Sequence, residues 1–136
     1  MRRVGLALTA ILIASTATSG AIACSCIRYA SALEQYDKTD LLFVGRVIAI
    51  EARRGEGGLP DVLTTFAVSR TIKGPSEARR TVVHSTPAGG NCGIPLLKGR
   101  TYFVGALMGN DGKLYTGSCM KPQFPVEAFE RIARAN

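Results

Sequence analysis

Four cysteines set the strongest constraint on this chain: Cys24 and Cys26 stand one residue apart near its start, and Cys92 and Cys119 lie far downstream. An even number of cysteines in a small exported domain argues for two disulfides. A bridge between Cys24 and Cys26 closes a very small ring, which leaves two long-range pairings with Cys92 and Cys119. Either pairing closes loops of roughly 67 to 96 residues, each nominally contributing about 4 to 5 kcal/mol through the entropy of the unfolded chain. The links tie an otherwise loose N-terminal segment onto the body of the fold. A structural zinc site is the rival use of four cysteines. One C-x-C, two isolated cysteines and the single His84 lack the paired C-x-x-C spacing such sites use.

The segment ahead of Cys24 fits export. Arg2 and Arg3 form a basic start, residues 4–14 an apolar run, and Ala21-Ile22-Ala23 a small-residue cleavage motif. A run of about eleven residues falls short of the roughly 20 that span a bilayer. The Arg2-Arg3 pair also fits a twin-arginine signal, and either route leads out of the cytoplasm. The expected division is therefore a signal peptide over 1–23 and one domain over 24–136, located in the medium or in a periplasm or cell envelope. Without Arg2 and Arg3 the chain keeps 15 of its 17 Lys and Arg against 10 Asp and Glu, a formal charge of +5. That excess favours acidic surfaces or polyanions.

Local patterns then place the elements. Ser31-Ala32-Leu33-Glu34 fits a capping box, so a short helix follows the C-x-C segment, with Leu33 and Tyr36 on one face. Residues 41–50 are branched and apolar and read as a strand, with Gly45 at a bend or bulge. Residues 51–60, charged and glycine-rich, suit a connection. Strands follow over 62–72 and 80–85, and 86–95 is a Pro- and Gly-rich loop around Cys92. Runs at 101–107 and 113–117 flank Gly109-Asn110-Asp111-Gly112 and form a hairpin. A closing helix starts near Pro125, aligns Val126, Phe129 and Ile132, and offers the pairs Glu127 with Arg131 and Glu130 with Arg134. The fold class is mainly β: five short strands in a small closed or nearly closed barrel, with one helix before and one after.

Several stretches resemble the N-terminal, netrin-like domain of the tissue inhibitors of metalloproteinases. They are Cys24-Ser25-Cys26, "LLFVGRVI", "IKG" at 72–74, "NCG" at 91–93, "LLKGRTYFVGA" at 96–106 and "DGKLYTGSC" at 111–119. The resemblance covers nearly all of 24–136. It implies a five-stranded OB barrel with flanking helices, and disulfides from Cys24 to Cys92 and from Cys26 to Cys119. It also implies a protease inhibitor with no catalytic residue and no cofactor of its own. In that family the first cysteine's α-amine and carbonyl oxygen chelate the protease's zinc, and the next side chain enters the pocket beside the metal. Carried over, Cys24 is the chelator through its backbone, Ser25 the pocket residue, and Cys26, Asn91 and Cys92 complete the contact ridge. The partner is a zinc metalloprotease and the inhibitor a monomer. Departures are plain too: four cysteines serve two of the family's three N-domain disulfides, and Ile27-Arg28 stands where animal members usually carry Val-Pro.

Rival functions draw on other features. Netrin-like domains also serve as binding modules without antiprotease activity. Ala21-Ile22-Ala23-Cys24 partly matches a lipoprotein box, which would place a lipid anchor on Cys24 and acylate its amine. A nucleic-acid partner is not expected, since the chain is exported and has no Trp to build a stacking platform. Arg53-Arg54 and Arg79-Arg80 read as solvated strand ends or loops. His84 lies in an expected strand with no serine or thiol nucleophile placed beside it, so an enzyme is not expected either. Tyr102 and Phe103 are expected to divide between the core and the surface of one strand.

Overall fold

A computed structural model describes residues 24–55, 60–86 and 92–136. The expected export segment 1–23 and Asn91 lie outside the described residues. In chain order the elements are α1 (Ala32–Asp37), β1 (Leu41–Arg54), β2 (Pro60–Lys73), β3 (Arg79–His84), β4 (Thr101–Met108), β5 (Leu114–Tyr115) and α2 (Val126–Ala135), with a 3₁₀ turn at Ser118–Met120.

The strands close into one ring in the order β1-β2-β3-β5-β4. Every neighbour is antiparallel except β3 and β5, which run parallel over Val82 opposite Leu114 and Val83 opposite Tyr115. Closure leaves no long unpaired edge, the usual liability of a small sheet. The bend expected at Gly45 is a register shift between Val44 and Gly45 against β2. A Cβ at Gly45 would lie 3.1 Å from Ala67 O, so the close strand crossing calls for a residue without a side chain.

The long strands differ from the expectation. β1 continues through Glu51, Ala52, Arg53 and Arg54, which pair with residues 63 to 60 of β2. The charges that suggested a connection there sit on an exposed strand extension, where side-chain polarity costs nothing and the ladder alone sets the conformation.

Two apolar cores explain why Leu41, Leu42 and Phe43 are all buried. Leu41 and Phe43 point into the barrel with Val47, Phe66, Val82, Val104, Ala106 and Leu114, and the Phe43 and Phe66 rings meet edge-on at 5.3 Å. Leu42 points outward into a second core with Tyr36, Ile72 and Phe129, beneath the two helices. A strand buried on both faces reads as a continuous apolar run, not as an alternation. Tyr102 and Phe103 follow the same logic. Tyr102 packs on the barrel core and Phe103 on the helix-side core, so neither is a surface residue as the two-sided reading expected.

The helices correct three details. Ser31 Oγ accepts from Glu34 N, but Glu34 Oε2 accepts from Ala30 N, one residue before the cap, so the capping box is displaced by one position. Leu33 is exposed and the buried helical residues are Gln35 and Tyr36. In α2, Val126, Phe129 and Ile132 do share the packed face, while Glu130 pairs with Arg70 of β2 at 2.7 Å and not with Arg134. That cross-element pair adds to the helix's apolar attachment to the barrel wall.

Candidate functional site

Of the candidate site residues, Cys24, Ser25, Cys26, Cys92 and Cys119 converge at one end of the barrel. Cys24 is bonded to Cys92, just past β3, and Cys26 to Cys119 in the 3₁₀ turn, with Cα separations of 5.6 and 4.9 Å. This is the pairing that the family resemblance implies, and no cysteine is free. Two disulfides suggest an oxidising, extracytoplasmic setting.

The two anchoring loops are themselves joined. Cys92 O accepts from Ser118 N at 3.0 Å and from Ser118 Oγ at 3.1 Å. Ile94 N donates to Ser85 O, which continues the β3 end into the Cys92 loop. Gly93 sits in that crossing, where a Cβ would collide with Ser85 O and Thr86 O. The 3₁₀ turn lies against β4 in a similarly close approach: a Cβ at Gly105 would strike Met120 O. Residues 24–26 thus straddle two loops that the barrel holds in fixed relation. Ser25, between the two bridged cysteines, is exposed.

A glutamine relay, absent from the sequence reading, holds the next residues. Gln123 Nε2 donates to Ile27 O at 2.8 Å, and Gln123 Oε1 accepts from Tyr29 N at 3.1 Å. Gln123 N donates in turn to Gln35 Oε1 at 2.8 Å, while Gln35 Nε2 donates to Lys121 O at 3.1 Å. Gln35 is only 1% exposed, and its amide is satisfied on both sides, as burial of a polar group requires. The helix α1 therefore positions the 121–123 segment, which positions 27–29. Glutamines 88 residues apart carry no local pattern, so only the folded chain reveals the relay.

An open groove of about 720 Å³ runs beside this segment, with Cys24, Ile27, Arg28 and Tyr29 on one side and Lys121 and Phe124 on the other. Next to it, sharing Lys121, is a smaller apolar cavity of about 190 Å³ walled by Leu96, Tyr102, Phe103 and Val104.

Other candidates are placed differently. His84 is buried, with Nε2 2.7 Å from Thr64 Oγ1 and Nδ1 3.0 Å from Ser85 O. A carbonyl can only accept, so Nδ1 carries a proton, and the threonine hydroxyl can serve Nε2 in either direction. The histidine cross-links β2, β3 and the start of the Cys92 loop. Arg80, expected to be solvated, is 7% exposed and donates to Pro75 O, tying down the turn before β3. Its neighbours Arg79, Arg53 and Arg54 are exposed as expected. Among the described residues no helix is long and apolar enough to cross a membrane.

No family model matches the chain, and no curated protein matches it.

Proposed function

We propose that this chain is a secreted, netrin-like OB barrel that inhibits zinc metalloproteases by presenting the α-amine and carbonyl oxygen of Cys24 to the protease's metal. The ring order β1-β2-β3-β5-β4, closed by a parallel β3–β5 pair and flanked by two helices, supports the OB assignment.

The observation that carries the function is the double anchoring of residues 24–26, with Cys24 fixed to one loop, Cys26 to another, and Ser25 exposed between them. Cleavage after Ala23 makes the anchored residue the first of the working protein. An ordinary α-amine has a pKa of about 7.7 to 8.0, so near neutral pH a useful fraction is unprotonated and offers a lone pair to zinc. The disulfide fixes amine and carbonyl together, which lowers the ordering entropy lost when both reach one metal. Ser25 enters the protease's pocket without clash, and Cys26 and Cys92 flank it on the ridge. Ser25 is small and buries little apolar area, so the metal contact and the ridge carry most of the affinity.

Lipidation is the competing fate of Cys24. A thioether to a lipid and a disulfide to Cys92 need the same Sγ, so the bridge favours the unmodified, chelating form.

The test compares two forms of the protein against a panel of purified zinc metallopeptidases. The chain beginning at Cys24 is expected to inhibit at least one, and the chain beginning at Ala23 to lose that inhibition by a hundredfold or more, on the order of 3 kcal/mol. Equal inhibition by both forms would sink the amine-chelation mechanism.

A further inference from the structure

We infer that the groove beside the N-terminal segment is a docking surface for an acidic stretch of the partner protein, one that places carboxylates against Arg28 and Lys121 and an apolar side chain in the adjoining cavity. The identity of that partner as a metalloprotease rests on the reading above, but the groove's preference does not.

Charge distribution singles this surface out. The lining of the groove includes two charged side chains, Arg28 and Lys121, and no acid. Both are exposed, and neither takes part in an ion pair among the described residues. Three other clefts with basic residues each include an acid in their lining: Glu77 with Arg79 and Arg80, Asp61 with Arg53 and Arg54, and Glu130 with Arg70 and Arg134. Cleavage before Cys24 adds the α-amine to the same wall. The groove is thus a basic surface with no acid in its own lining to offset the charge.

Its shape and remaining lining point to a peptide and away from a sulfated glycan or a bilayer. Two cations do not make the row that a polyanion follows. Ile27 is 68% exposed and, with Phe124, gives the groove apolar walls that suit side chains. Lys121 borders both the groove and the apolar cavity at Leu96 and Phe103, so a carboxylate and a neighbouring apolar residue of one extended segment can engage them together. The glutamine relay fixes both walls, through Ile27 and Tyr29 on one side and Lys121 and Gln123 on the other. A preformed surface loses little entropy on binding.

The experiment titrates the disulfide-bonded chain 24–136 with a capped hexapeptide of alternating glutamate and leucine, following backbone amide shifts. A lysine–leucine peptide of the same length is the control. Shifts are expected at residues 25–29, 94–96 and 117–124, weakening as added salt shortens the screening length below about 8 Å. Arg28→Glu combined with Lys121→Glu is expected to weaken binding by about tenfold or more, with the rest of the spectrum unchanged because both positions are exposed. Shifts scattered over the whole surface, equal binding by the double variant, or equal binding of the lysine peptide would each overturn the inference. So would a sulfated oligosaccharide that shifts the same amides at lower concentration. Peptide docking by a chain that inhibits no metallopeptidase would remove the inhibitor reading and leave the groove standing; inhibition that the double variant retains in full, without peptide docking, would do the reverse.

Discussion

Gln123 shows how one side chain can govern the geometry of a whole terminus. Its amide grips Ile27 O and Tyr29 N at once, so Gln123→Ala frees two backbone groups that water then solvates. Each hydrogen bond is worth about 1 kcal/mol net. The expected result is a Tyr29 amide that exchanges with solvent roughly tenfold faster, with little change in global stability. Unchanged exchange at Tyr29 would mean that the disulfides alone hold the segment. Glu34 acts at the same scale on α1. The Ala30 N–H, and secondarily the Lys38 ammonium, hold its carboxyl below its ordinary value of 4.5. A lowered folded-state value stabilises the fold where the carboxyl is ionised, and that contribution fades as pH falls through the folded value. The stability difference between the native chain and Glu34→Gln should accordingly be constant above about pH 5 and shrink toward zero in more acidic solution, as read from thermal midpoints across pH. At this scale the sequence was partly legible. The cysteines and Ser25 stand out by type and spacing, whereas Gln35 and Gln123 are ordinary polar residues until the fold brings them together.

Element by element, what could be read depended on how many faces of each segment are buried. α2 was legible because a helix on a barrel wall buries one stripe, which leaves the spacing of Val126, Phe129 and Ile132 in the sequence. α1 was only half legible. It spans less than two turns, and its buried pair, Gln35 and Tyr36, mixes a polar residue into the face so that Leu33 looked like the better core candidate. The extension of β1 through Arg54 was missed because an exposed strand needs no apolar alternation, only a partner ladder. The attachment of α2 rests on Phe129, fully buried with rings of Phe103 and Phe124 at 5.5 and 6.3 Å. Phe129→Ala removes this plug and is expected to cost about 3 to 5 kcal/mol in urea unfolding. A loss below about 1 kcal/mol would show that the helix contributes little to the barrel's stability.

For the whole molecule, the arrangement joins a rigid ring of strands to a terminus that would fray in most domains. Closure of the barrel positions the end of β3 and the 3₁₀ turn beyond β5, the bridges at Cys92 and Cys119 tie residues 24–26 to that frame, and the relay from α1 extends the attachment to Tyr29. Loops of this length place each disulfide at about 4 to 5 kcal/mol of chain entropy, a large share of the stability of a small domain. Such investment at the first residue after a cleavage motif makes sense when that residue's own backbone is the reactive group. The parallel β3–β5 contact was the global feature hidden from the sequence, because two paired residues of β5 carry no periodicity, and closure is a property of the ring. The deciding measurement is the intact mass and N-terminal sequence of the protein recovered from its exporting host without reduction. The account predicts a chain beginning at Cys24 with an unblocked amine and a mass four hydrogens below that of the reduced form. An acyl group on that amine, a lipid on its sulfur, or a chain beginning at another residue would contradict it.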